Sequence, residues 1–230
     1  MKTLDQLQQI IHRKYEGNTS YPSSGEEDYT VRTGLINDAI NEWAYQENIH
    51  WRELYTTLAD ASDGDTTADT STTAYDAPSD FVFMGSFLTI TDSTGAKTHY
   101  FEKHPDDVKK YQAIDSSMKF FYITGNASSG HKINIVNPIA GTISYTYYKQ
   151  ATELSDTSDK AEMRDPYFIV YSVLAQLYEL DNRNDLVSKY NQLAQNSMNA
   201  MIIENETLGA NVPDKTSDLD FELRGAVIGE

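Results

Sequence analysis

Apolar residues in the first 48 positions recur at the spacing of an α-helix. Leu4, Leu7, Ile11 and Tyr15 fall on one face of a first helix, and Thr3 with Gln6 three positions on has the spacing of a capping box. The run Gly17-Asn18-Thr19-Ser20-Tyr21-Pro22-Ser23-Ser24-Gly25 interrupts the pattern. A second helix then opens at Glu26, Glu27 and Asp28, whose charges suit the positive end of a helix dipole. Its apolar stripe is Val31, Leu35, Ile36, Ala39, Ile40, Trp43 and Ala44. From about residue 50 to 150 the period falls from 3.6 to 2. The pattern predicts strands over 51–58, 82–90, 98–101, 120–124, 132–136 and 142–148, with a hairpin turn at Asp92-Ser93-Thr94-Gly95 and a short helix over 105–112. In the last strand Ile143, Tyr145 and Tyr147 share one face, and Ser144, Thr146 and Tyr148 the other.

Helical spacing returns after Asp165, with Pro166 in a first turn and Phe168, Val170, Tyr171, Val173, Leu174 and Leu177 behind it. Asp181-Asn182-Arg183-Asn184 breaks that helix, and Asp185 caps a last one carrying Leu186, Tyr190, Leu193, Ala194, Met198, Met201 and Ile202. No period survives past Glu206. The fold class predicted is α+β. Helix pairs in 1–48 and 151–206 form one bundle, a sandwich- or barrel-like β domain over 49–150 is inserted between them, and residues 207–230 form an extended tail.

Composition narrows the chemistry. The 18 basic and 35 acidic residues leave a net charge of −17, and there is no cysteine. Disulfides, thiolate metal sites and a cysteine nucleophile are excluded, and the charge argues against gripping nucleic acid through its phosphates. No apolar run approaches the ~18 residues of a membrane span, and Met1-Lys2-Thr3-Leu4-Asp5 turns polar too soon for a signal peptide, so no membrane partner is expected. The histidines at 12, 50, 99, 104 and 131 form no metal motif, and neither a GxSxG elbow nor a phosphate-binding loop is present. Catalytic residues, cofactors and metals are therefore not predicted. Residues 59–76 hold five Asp, seven Ser or Thr and no Lys or Arg. The segment reads as a mobile acidic loop built on Asp60, Asp63, Asp65 and Asp69, without the ligand order of an EF-hand. Tyr145, Tyr147 and Tyr148, with Tyr100, Tyr111 and Tyr122, leave two readings open: a sugar- or base-stacking surface, or half-buried residues of a sheet.

Four segments in order carry a resemblance. These are Leu35 to Trp43 running into His50-Trp51-Arg52-Glu53-Leu54; Tyr75-Asp76-Ala77-Pro78-Ser79-Asp80-Phe81; Ile133-Asn134-Ile135-Val136-Asn137-Pro138 with Gly141 to Tyr148 and Leu154-Ser155-Asp156; and Met163-Arg164-Asp165-Pro166-Tyr167-Phe168. Together they resemble the ring-forming head-to-tail adaptor proteins of tailed bacteriophages, the group that includes tail tubular protein A of short-tailed phages. The acidic segment at 59–76 is longer than the turn of that family. The resemblance implies a non-enzymatic virion protein at the head-tail junction, assembled in the host cytoplasm as a ring of twelve copies. Its partners are the portal protein above and a nozzle or tubular tail protein below, and genomic DNA passes through without being bound tightly. The alternative is a carbohydrate- or host-surface-binding β module of a virion.

The tail carries Leu208, Val212, Leu219, Phe221, Leu223, Val227 and Ile228. Leu219, Phe221 and Leu223 alternate with Asp218, Asp220 and Glu222, a strand spacing suited to a neighbouring subunit or the portal.

Overall fold

The computed structural model describes residues 1–114, 117–126 and 128–210. In chain order the described residues form helices α1 (Leu4–Tyr15), α2 (Glu27–Ala44), α3 (Pro105–Ile114), α4 (Tyr167–Leu180) and α5 (Asn184–Ala210). The strands are β1 (Tyr55–Thr57), β2 (Thr67–Ala68), β3 (Ala74–Asp76), β4 (Phe81–Met84), β5 (Leu88–Thr91), β6 (Lys97–Glu102), β7 (Phe120–Asn126), β8 (Gly130–Val136), β9 (Gly141–Ser144) and β10 (Thr146–Lys149). The class is α+β, and the chain divides into two compact units: Met1–Ile49 with the chain from Glu153 onward, and His50–Thr152.

In the helical unit the predicted capping box forms. The Gln6 amide donates to Thr3 Oγ1 at 3.2 Å, and the Thr3 amide donates to Gln6 Oε1 at 3.3 Å. Leu4, Leu7 and Ile11 of α1 are fully buried, as are Ile36 and Ala39 of α2. Helix α4 is the centre of the unit: it packs against α1, α2 and α5 and buries Phe168, Ile169, Val170, Val173, Leu174 and Leu177. Asn182, at φ 58°, reverses the chain between α4 and α5; asparagine tolerates that left-handed conformation better than most residues. Helix α5 runs to Ala210 rather than stopping before Glu206. The apolar stripe ends there, but residues 203–208 contain neither Gly nor Pro, so nothing stops the backbone ladder. Val212, Leu219, Phe221, Leu223, Val227 and Ile228 lie outside the described residues, as does the side chain of Leu208.

Polar groups tie α1 to α2. Gln8 Nε2 donates to the Tyr29 carbonyl and to Thr33 Oγ1, each at 3.0 Å. Arg32 Nη1 donates to His12 Nδ1 at 3.0 Å. Since arginine only donates, His12 must accept at Nδ1, and its Nε2 then donates to Asn18 Oδ1 at 2.8 Å.

The β unit holds a three-stranded sheet in the order β1-β10-β4 and a seven-stranded sheet in the order β2-β9-β5-β6-β7-β8-β3. Pairing is antiparallel except between β6 and β7, which are parallel and joined through α3. Three predicted strands are broken. Residues 51–58 become a 3-10 turn at Arg52–Leu54 and the short β1. The strand over 82–90 divides at Gly85 and Ser86 into β4 and β5, and that over 142–148 divides at Tyr145 into β9 and β10. At each of the last two breaks the chain passes from one sheet to the other, so both sheets close on one core. Gly85 is required there: a Cβ would lie 2.4 Å from the Tyr55 ring. The inward face nevertheless runs on through the second break, with Ile143, Tyr145 and Tyr147 all buried.

Candidate functional site

The acidic segment carries more structure than its composition predicts. It supplies β2 and β3, the two edge strands of the larger sheet, with Ala68 and Tyr75 buried as anchors. The four carboxylates named from sequence are not gathered together; each accepts hydrogen bonds in its own turn. Asp69 accepts from the Ser71 and Thr72 amides, both at 2.6 Å, and from the two hydroxyls at 2.7 and 2.8 Å. Those donors, the Ser71 hydroxyl foremost, hold its carboxyl far below the usual carboxylate range. Asp63 Oδ1 accepts from the Ser79 amide at 2.9 Å, which lowers its pKa as well. Asp65 Oδ2 accepts from the Asp76 amide at 2.7 Å, and Asp60 from the Thr57 hydroxyl at 2.5 Å. Gly64, at φ +100°, turns the chain over Pro78, where a Cβ would come within 3.1 Å of the ring. Among the described residues no group of three or more His, Asp or Glu side chains is placed to hold a metal. His99 bonds Thr89 and His104 lies beside Asp106, in separate places.

The tyrosines are distributed rather than assembled into a platform. Tyr100, Tyr145 and Tyr147 belong to the β core, while Tyr111, Tyr122 and Tyr148 are half-buried. Burial pushes the Tyr145 and Tyr147 hydroxyls well above their ordinary pKa, and Tyr147 also donates to Asp80 at 2.8 Å. On the three-stranded sheet Tyr55, Tyr148 and Phe83 lie opposite one another in register. Tyr148 and Phe83 stack at 4.6 Å, so they cover each other's faces. In the helical unit Tyr15, Tyr178, Tyr190, Tyr171 and Tyr167 form a row with neighbouring ring centroids 5.2–6.2 Å apart. Tyr15 donates to Asp181 at 2.6 Å, and its pKa is pushed up to about 12 by burial and by that carboxylate.

Two features escaped the sequence reading. The helical unit has 10 basic and 23 acidic residues, a net −13, against 8 and 12 in the β unit, a net −4. The acid excess therefore lies mainly outside the segment that draws the eye. The second is a groove of about 500 Å³ between α2, α4 and α5. Asn191, Gln195 and Asn199 line it at four-residue spacing along α5. That repeat of carboxamides was the available signal, and it is invisible to a search for charged or apolar residues. Among the described residues no helix is long and apolar enough to cross a membrane.

The model of the SU10 adaptor protein family matches residues 2–215. No curated protein matches the sequence.

Proposed function

The chain belongs to the SU10 adaptor protein family, and from that membership we propose that it is a structural protein of a tailed-phage virion, without enzymatic activity, that closes into a ring at the head-to-tail junction. Twelve copies stand beneath the portal protein, extend the DNA channel, and offer a platform to the next tail component, a nozzle or tubular protein. The match over residues 2–215 carries this reading.

Charge supports it. A conduit must pass the genome without holding it, and like charge keeps phosphate away from the wall. At −13 the helical unit is the better candidate for that wall. Subunits in a ring meet through two different faces that repeat around the axis. The apolar residues from Leu208 to Ile228 are the ones we assign to docking, on a neighbour or on the portal. Negative-stain imaging of the full chain mixed with a portal protein tests the reading. Rings stacked coaxially on the portal are expected; portal particles left bare at saturating concentration would overturn it.

A further inference from the structure

The groove between α2, α4 and α5 has a mostly apolar floor and an amide rim. Phe168, Ala194, Met198 and Ile202, with the one buried hydroxyl of Ser172, form the floor, and Gln46, Gln176, Asn191, Gln195 and Asn199 the rim. The side chains of Gln176, Asn191, Gln195 and Asn199 make no hydrogen bond among the described residues. A carboxamide donates and accepts at once, so each can meet one backbone N–H and one C=O of a passing chain. Steps of four residues along α5 rise about 6 Å, and two residues of an extended chain span about 6.6 Å. The rim therefore repeats at nearly the period of an extended peptide, whose every second side chain points the same way.

One segment of this protein has the matching pattern. Twenty residues follow Ala210, and within them Leu219, Phe221 and Leu223 alternate with Asp218, Asp220 and Glu222. We propose that residues 218–223 of one copy lie extended in this groove of the next copy. The leucines and Phe221 face the floor, the backbone runs along the amide ladder, and the carboxylates face solvent. Among the described residues Glu42 is the one charged side chain lining the groove, and it is acidic, so the acids gain nothing by turning inward. The groove and the tail are different surfaces of one subunit, so this contact is heterologous and repeats around a ring. In that respect the proposal rests on the ring reading above.

The chain has no cysteine, so engineered thiols report on this contact alone. Gln195 is mid-ladder and Asp220 mid-segment, which keeps them close for either chain direction, and because Asp220 faces solvent the two thiols are joined by a short bis-maleimide rather than by a direct disulfide. Full-length Gln195→Cys and Asp220→Cys chains are mixed and treated with the cross-linker while light scattering follows assembly. A cross-linked heterodimer is expected, reduced about ten-fold by adding Phe221→Asp to the second chain. Assembly without that heterodimer overturns the groove assignment and leaves the ring reading standing. Loss of both overturns the two together. Equal linking to a control Ser188→Cys chain overturns it as non-specific. A doubly substituted chain that bridges only within itself overturns the exchange between copies.

Discussion

The helical unit buries Gln8, His12, Arg32, Ser172 and Ser197, whereas Thr89 is the buried polar residue of the β unit among the described residues. The β unit fills its interior with rings instead: Tyr75, Phe81, Tyr100, Phe121, Tyr145 and Tyr147 all join one core. The contrast follows from how each kind of element fixes its register. Two helices with apolar stripes can slide along each other, and a specific polar contact such as Arg32 to His12 is satisfied at one offset only. A strand that slips by one residue turns its whole buried face to solvent, so ring packing suffices there. Net charge divides the same way, −13 against −4.

Core truncation is expected to have the largest effect in both units. Phe121→Ala should cost about 3–5 kcal/mol and Leu174→Ala about 2–5 kcal/mol, since both side chains are fully buried. Trp51 lies in the β unit and Trp43 in the helical unit, both buried, so denaturant unfolding read by fluorescence in single-tryptophan backgrounds follows each unit separately. A loss below about 1 kcal/mol at either site would contradict its place in the core.

The next effect separates the units. Arg32→Ala should destabilise by about 2–3 kcal/mol, because it leaves a buried His12 nitrogen without its donor. Lys132→Ala in the β unit removes an ion pair whose side chains are 51% and 65% exposed, and should change the melting temperature immeasurably. Equal shifts from both substitutions would erase the distinction drawn here.

Where this architecture was legible from sequence, the reason was periodicity. The capping box at Thr3 and Gln6, the α4 core and the Ile143–Tyr145–Tyr147 face all follow from spacing. What spacing concealed were the points where the chain changes sheet. Residues 142–148 read as one continuous strand because the inward alternation of Ile143, Tyr145 and Tyr147 does not lapse at the crossing, and 82–90 read as one because its run of apolar residues hides the change of inward face between Phe81 and Leu88. The acidic segment misled through composition: its Asp and Thr residues outnumber the two anchors, Ala68 and Tyr75, that hold it as edge strands. The amide ladder stayed hidden because carboxamides contribute to neither a charge pattern nor an apolar one.

Acid should act locally on those edge strands. Asp69 and Asp63 have folded pKa values depressed below the ordinary ~3.9. Their contribution is therefore present above about pH 4 and fades as pH falls through the lower folded values. Hydrogen exchange at the Ser71 and Thr72 amides should be protected from pH 7 down to about 4.5 and lost in Asp69→Ala at every pH. Unchanged protection in that variant would show that the carboxylate does not hold the turn.

The smallest expected signal is a null one. Anisotropy titration of duplex DNA with the full chain at ~150 mM salt should show no binding, because repulsion from a −17 subunit exceeds any local attraction. Micromolar affinity would remove the argument that an acidic wall lets DNA slide.

Native mass spectrometry of the full chain at rising concentration tests the central claim most directly. The account predicts one closed assembly, at twelve times the 25.9 kDa subunit mass, appearing without a continuing series of longer oligomers. A single species at 25.9 kDa at every concentration, with or without a portal protein present, would contradict it.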